Sequence, residues 1–101
     1  MNQPATSISL EMLRKAFDLL VRHAAAQGSE GRIALHKDAF WSVPTASVND
    51  IYSGPPDLTV GIVSESWGHL EAMIGDETKV VGYGLIWLAD VLRALGSEVA
   101  W

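Results

Sequence analysis

The sequence predicts a mainly helical or α+β domain, and three observations lead to this fold class. Two stretches repeat apolar residues at three- and four-residue spacing, which is typical of amphipathic helices. A third stretch, residues 80–96, is the most apolar of the chain. Residues 28–44 lose the helical period and are rich in β-favouring types. Because 49% of the 101 residues are hydrophobic, we expect one compact domain over residues 1–101, with residues 1–6 as a frayed tail.

The first main helix is predicted over about residues 7–27. Its main apolar stripe consists of Leu10, Leu13, Phe17, Leu20, Val21 and Ala24. Thr6, Ser7 or Ser9 can cap its start, because these hydroxyls accept hydrogen bonds from the first free N–H groups of a helix. Gly28 can supply a left-handed stop. "GSEG", which follows, is rich in turn-forming residues.

One or two short strands are predicted within residues 31–43. Apolar Ile33 and Leu35 alternate along this segment, and "AFWSV" follows before Pro44 ends it. A hairpin about residues 36–38 would join the two strands. A short helix is then expected over about residues 45–52, with Thr45 as its cap.

The second main helix is predicted over about residues 60–74. Its apolar stripe consists of Val60, Val63, Trp67, Leu70 and Ile74. Thr59 can cap its start and Gly75 can end it. The pair Glu65 and His69 lies nearly opposite that stripe, so we expect both side chains to face solvent.

The last main helix is predicted over about residues 79–95, with Gly96 closing it. The connection "GDET" is short, which favours an antiparallel arrangement of the last two helices. Apolar residues occupy every side of the last helix, and such helices are usually buried. We therefore predict that it forms the buried centre of the fold. "SEVAW", at residues 97–101, fits either a final short strand or a loose end.

Composition and charge exclude several classes of function. The net charge is −5 and the seven Lys and Arg residues are scattered, so nucleic acid is a poor partner. The sequence has no cysteine, which rules out disulfides and thiolate chemistry. The uncharged run at residues 80–89 is half the length of about 20 residues that a membrane-spanning helix needs. No secretory leader is recognisable, so we predict a cytoplasmic protein without a membrane partner.

No motif predicts a catalytic, metal or cofactor site. The chain lacks the glycine-rich phosphate loops, the GxSxG nucleophile pattern and the HExxH metal pattern. The three histidines, at positions 23, 36 and 69, are not spaced as metal ligands on one helix. We therefore expect no catalytic residue, no metal ligand and no bound cofactor.

The leading functional hypothesis is a small, non-catalytic protein-interaction or adaptor domain, which binds another protein or forms a homodimer. Four tryptophans are many for this length, and tryptophan is enriched at interfaces. The first helix also carries a second apolar strip, roughly opposite part of its main stripe. Either the rest of the chain covers both, or one of them meets a partner. We predict that this strip, which includes Met12, Leu19 and His23, contacts the partner.

Two alternatives stand beside this hypothesis. One is a small-ligand binder or enzyme with a pocket between the strand segment and the last helix. Such a pocket would be lined by Trp41, Tyr83, Trp87 and Asp90, with His36 as an acid or base. The other is an acidic antidote or inhibitor that covers a basic partner protein, which the net charge alone suggests.

Overall fold

A computed structural model describes residues 5–99 and shows a small α+β fold, which confirms the predicted fold class. Its main elements are α1 (Leu10–Ala25), β1 (Ala39–Ser42), β2 (Thr59–Ile62), α2 (Val63–Gly75) and α3 (Gly84–Val99). The two strands form one antiparallel sheet. The chain divides into two compact units, one ending at residue 34 and one beginning at residue 35. The single domain over residues 1–101 stays a prediction. Residues 1–4 of the predicted tail lie outside the described residues.

In the first unit, α1 begins and ends within its predicted range. The Met12 N–H donates to Ser9 Oγ at 3.2 Å, so Ser9 is the cap among the three hydroxyls considered. The C-terminal cap is Ala26, which has right-handed backbone angles. The prediction that Gly28 stops the helix in a left-handed conformation is therefore wrong.

A tight turn follows α1 and explains why residue 28 is glycine. Ser29 and Arg32 exchange two backbone hydrogen bonds, at 2.9 and 3.0 Å. The residues between them, Glu30 and Gly31, both have positive φ, at 55° and 71°, as an inverse turn of this kind requires. A Cβ at Gly28 would overlap the Arg32 carbonyl. The "GSEG" turn is confirmed, with Gly28 needed for close backbone approach.

In the second unit, β1 pairs with β2 rather than with a neighbour across a hairpin. Phe40 lies opposite Gly61 and Trp41 lies opposite Val60. The hairpin predicted about residues 36–38 is therefore wrong, as is the assignment of residues 60–62 to the second helix. Three of the four β2 residues are β-branched, a type that packs well on a pleated sheet. Pairing with a distant strand decides their conformation.

The connection between the strands is less helical than predicted. A single 3₁₀ turn, Thr45–Ser47, replaces the short helix expected over residues 45–52. Pro44 precedes this turn, and no side chain caps it. The prediction that Thr45 caps a helix is therefore wrong.

Asp38 caps the start of α2 from a distant position in the sequence. Its carbonyl accepts from the Val63 N–H at 2.8 Å. One carboxylate oxygen accepts from the Ser64 N–H at 2.7 Å, and the other accepts from the Ser64 hydroxyl at 2.6 Å. Thr59 lies in β2 and does not cap the helix. Such long-range capping satisfies the same free N–H groups as a local cap.

The helices α2 and α3 pack against each other in opposite directions, as the short connection predicts. Three contacts show this order: Ser66 with Asp90, His69 with Trp87, and Met73 with the backbone of Gly84. A 3₁₀ turn, Glu77–Lys79, joins the helices. The last helix consequently begins later than residue 79. It also continues through Gly96 to Val99, so Gly96 does not close it, and residues 97–99 are helical. Residues 100 and 101 lie outside the described residues.

The core of the second unit lies between these two helices and the sheet. Among residues 5–99, its buried apolar members are Val63, Leu70 and Val91. The prediction that α3 is a buried central helix is wrong, because Leu85 is 72% exposed and only Gly84 and Val91 of α3 are buried. The helix α2 covers one face of α3. In the part of the chain that the structure describes, no helix is long and apolar enough to cross a membrane.

Candidate functional site

An open groove of about 170 Å³ lies in the second unit and is the candidate site. The sheet contributes one wall, and α2 and α3 contribute the other. The groove is lined by residues that include Phe40, Glu65, His69, Tyr83, Trp87 and Asp90. It therefore combines aromatic rings with two carboxylates and one imidazole.

Three of the four residues predicted to line a pocket lie at this groove, namely Tyr83, Trp87 and Asp90. Trp41 does not. Successive side chains of a strand point to opposite faces of the sheet, and Phe40 and Ser42 line the groove. Trp41 therefore belongs to the other face, where it is 67% exposed.

Aromatic stacking joins the two helices at the groove. The His69 imidazole stacks on the Trp87 indole with ring centroids 4.4 Å apart and planes 20° apart. Tyr83 meets Trp87 edge to face, at 5.5 Å and 67°. Both geometries are favourable for aromatic pairs. The Trp87 ring is thus held from two sides.

Glu65 and His69 are exposed, which confirms the prediction that both side chains face solvent. Both also line the groove, which the spacing did not predict. The buried residues of α2 are Val63, Ser66 and Leu70, whereas the predicted stripe had Trp67 in place of Ser66. This change turns the buried face of the helix toward His69. Because one of the buried positions is a serine, a search for apolar periodicity does not find the buried face of α2.

Asp90 takes its hydrogen bond from Ser66. The Ser66 hydroxyl is buried, at 7% exposure, and donates to Asp90 Oδ2 at 3.2 Å. Within residues 5–99, the ion pairs shorter than 4 Å are Lys15 with Glu11 and His36 with Glu98. Neither Glu65 nor Asp90 therefore has a Lys or Arg within ion-pair distance in that range.

His36, the proposed acid or base of the pocket, lies elsewhere. Its backbone N–H donates to Glu98 Oε1 at 2.6 Å, and its Nδ1 lies 3.1 Å from Glu98 Oε2. His36 is absent from the groove lining. The residue links the segment before β1 to the last turn of α3, which is a structural contact.

The contact with Glu98 predicts a pH-dependent contribution to stability. Hydrogen bonds from the His36 N–H and then the His36 ring lower the pKa of Glu98 below its usual value. A lowered carboxylate pKa stabilises the fold above the ordinary glutamate pKa, and this contribution is lost as pH falls through the lowered value. We expect Glu98→Gln to reduce the free energy of unfolding near neutral pH, with the difference from wild type shrinking in acid.

Urea unfolding across the acidic range measures this difference. Hydrogen bonds from Thr78, its hydroxyl first, also lower the pKa of Asp76. Because Asp76 is present in both the wild type and Glu98→Gln, its contribution to the pH dependence cancels in the difference. Glu71→Gln is the matched control, since it makes the same substitution at an exposed glutamate of α2 and leaves the contact between His36 and Glu98 in place. A Glu98→Gln difference that grows in acid would contradict the expected contribution.

The predicted partner contacts of α1 lie on its surface. Met12, Leu19 and His23 are all exposed. The main apolar stripe, which we expected to face a core, is exposed as well, apart from the half-buried Ala24, and no residue of α1 is buried. Both apolar sides of the helix therefore offer large side chains.

Among residues 5–99, no group of three or more His, Asp or Glu side chains comes together to hold a metal ion. The Ser66 hydroxyl bonds directly to a carboxylate, while His69 stacks on Trp87. That arrangement differs from a serine–histidine–carboxylate relay, in which the imidazole lies between the other two groups. No known family model, curated protein or solved structure matches this chain.

Proposed function

We propose that this chain is a non-catalytic protein-interaction domain that self-associates through α1. The observation that carries the proposal is a row of large apolar side chains on α1, the leucine row, formed by Leu10, Leu13, Phe17 and Leu20. These four residues are between 39% and 76% exposed. Their alternating spacing of three and four is the one that packs side chains between those of a second helix.

The exposure of α1 supports a partner. No residue of this helix is buried, and Leu10 and Leu20 of the leucine row are 76% and 56% exposed. Covering apolar surface is favourable at roughly 25 cal/mol per Å². A partner that covers the leucine row is therefore held by the hydrophobic effect.

A second copy of the chain is the partner we propose. Closed two-fold dimers are the commonest assemblies of soluble proteins, and a row with regular spacing can pack on its own copy. The charged residues of α1 form a separate strip, where Lys15 lies 3.4 Å from Glu11. That strip stays in water when the leucine row is covered.

Light scattering over a range of protein concentrations tests the proposal. The 16-residue α1 is about 24 Å long, so the contact is at the small end of interface sizes and the dimer should dissociate on dilution. We expect Leu13→Asp to abolish the dimer, because a carboxylate would be buried in the contact. Leu19→Asp introduces the same charge on the second apolar strip of α1, that of Met12, Leu19 and His23. It should leave most of the dimer intact.

The outcomes separate the surfaces of α1. If Leu19→Asp dissociates the dimer and Leu13→Asp does not, the contact involves the strip of Met12, Leu19 and His23 instead. A wild-type chain that is monomeric at every concentration would overturn self-association. Circular dichroism should show unchanged helix content in both variants, since both leucines are exposed.

Small-ligand binding in the groove is the second candidate function. The observation that favours it is that three elements meet at one open groove: β1 with Phe40, α2 with Glu65 and His69, and α3 with Trp87 and Asp90. Ligand sites use a few placed polar groups to orient the ligand, and this lining supplies two carboxylates and one imidazole. This candidate is compatible with a non-catalytic interaction domain.

A further inference from the structure

The groove carries negative charge that the neighbouring protein does not neutralise. Glu65 from α2 and Asp90 from α3 both line it, and no Lys or Arg does. Neither carboxylate has a Lys or Arg within 4 Å among residues 5–99. The whole chain also has a net charge of −5. A cationic group is therefore the electrostatic complement of this groove.

The aromatic lining narrows the kind of cation. The residues that line the groove include Phe40, Tyr83 and Trp87, and cations bind favourably near aromatic rings. A guanidinium group is planar, stacks on rings and donates in a fork to carboxylates, whereas a lysine ammonium is a strongly hydrated point charge. Buried Ser66 orients Asp90 by its hydrogen bond. Rings beside carboxylates thus fit guanidinium better than ammonium.

The volume of the groove indicates which kind of molecule carries the guanidinium group. Pockets for whole small molecules usually measure about 300–1,000 Å³, while this groove measures about 170 Å³ and is open. Its volume suits the end of one side chain, and the opening leaves room for the chain that carries it. An arginine presented by another protein meets both conditions.

We propose that the groove binds the guanidinium group of an arginine side chain on a partner protein. This inference rests on the second candidate function, ligand binding in the groove, and names the ligand class. It does not depend on the leucine row. A monomeric wild type in light scattering would overturn self-association and leave the groove untouched.

Nuclear magnetic resonance with short peptides tests the groove directly. The probe is acetyl-glycyl-arginyl-glycine amide, and the comparison peptide has neutral citrulline in place of arginine. We expect the arginine peptide to shift the Trp87 indole N–H signal saturably, with a dissociation constant in the millimolar range. The signals of Trp41 and Trp67, which do not line the groove, should stay in place. The citrulline peptide should produce no saturable shift.

Variants then test the two carboxylates. Glu65→Gln should weaken binding about fivefold, as expected for an exposed ion pair, and adding Asp90→Asn should abolish it. Glu71→Gln removes the same charge from α2 outside the groove and should change binding less than twofold. Because Glu65 is exposed, its single variant remains informative if the double variant fails to fold.

Several results would overturn the proposal. Equal binding of the citrulline peptide would show that charge is not recognised, and an equal effect of Glu71→Gln and Glu65→Gln would show general attraction to an acidic protein. Absence of a saturable Trp87 shift would exclude the site. Tighter binding of free arginine than of the peptide would assign a small molecule as occupant in place of a partner protein.

Discussion

Leu70→Ala is expected to lower the free energy of unfolding by about 2–5 kcal/mol, the usual cost of truncating a buried leucine. The physical reason is the size of the core. Leu70 is one of three buried apolar residues among those described, together with Val63 and Val91. Natural domains have about 5–15 kcal/mol of stability in total, so one cavity removes a large share of it.

Urea unfolding followed by circular dichroism measures this loss. Ile74→Ala is the matched control, because Ile74 belongs to the same helix and is 80% exposed. It should change the free energy of unfolding by less than about 0.5 kcal/mol. Equal losses in the two variants would show that the Leu70 side chain is not part of a packed core.

Gly61→Ala is expected to be the second most damaging of these changes, at about 1–3 kcal/mol. A Cβ at this position would come within 2.6 and 2.8 Å of Phe40 ring atoms, which is too close for any real contact. The Phe40 ring, which lies opposite Gly61 in the sheet, must therefore move. Since Phe40 lines the groove, the arginine peptide should also bind this variant more weakly.

Gly84→Ala provides the comparison for this prediction. A Cβ there would meet Met73 at its Cε, 2.6 Å away, and its Sδ, 2.9 Å away. The end of a methionine side chain is flexible and can move at little cost, and alanine favours helix over glycine by about 1 kcal/mol. We expect urea unfolding to show a small effect. A larger loss in Gly84→Ala than in Gly61→Ala would contradict the role of the Phe40 contact.

Local sequence signals predict the parts of this fold that depend on local interactions. The spacing of apolar residues and the hydroxyl at Ser9 locate α1 to within a few residues, and the glycines of "GSEG" locate a turn. The strand β2 was missed, because its conformation depends on pairing with β1 across an intervening segment. Asp38 was missed as a cap for the same reason. Such long-range contacts leave no periodic trace in the sequence.

The candidate site was predicted in part. Tyr83 directly precedes α3, and Trp87 and Asp90 follow it by four and seven residues, so the helical period alone predicts that the three lie together. Trp41 and Phe40 are neighbours on a strand, so the choice between them requires knowledge of which sheet face meets the helices. To place His69 in the groove, one must know how α2 is rotated about its own axis. The buried Ser66 determines that rotation. A search for apolar residues alone does not reveal that rotation.

Residues 36–38 of the second unit contact the ends of two helices. His36 binds Glu98 at the end of α3, and Asp38 binds Ser64 at the start of α2. Because α2 and α3 run in opposite directions, these two helix ends lie at the same end of the pair, and residues 36–38 join them directly before β1. Local opening of this segment would release both helix termini and the sheet together, so the second unit should lose its order as one cooperative block.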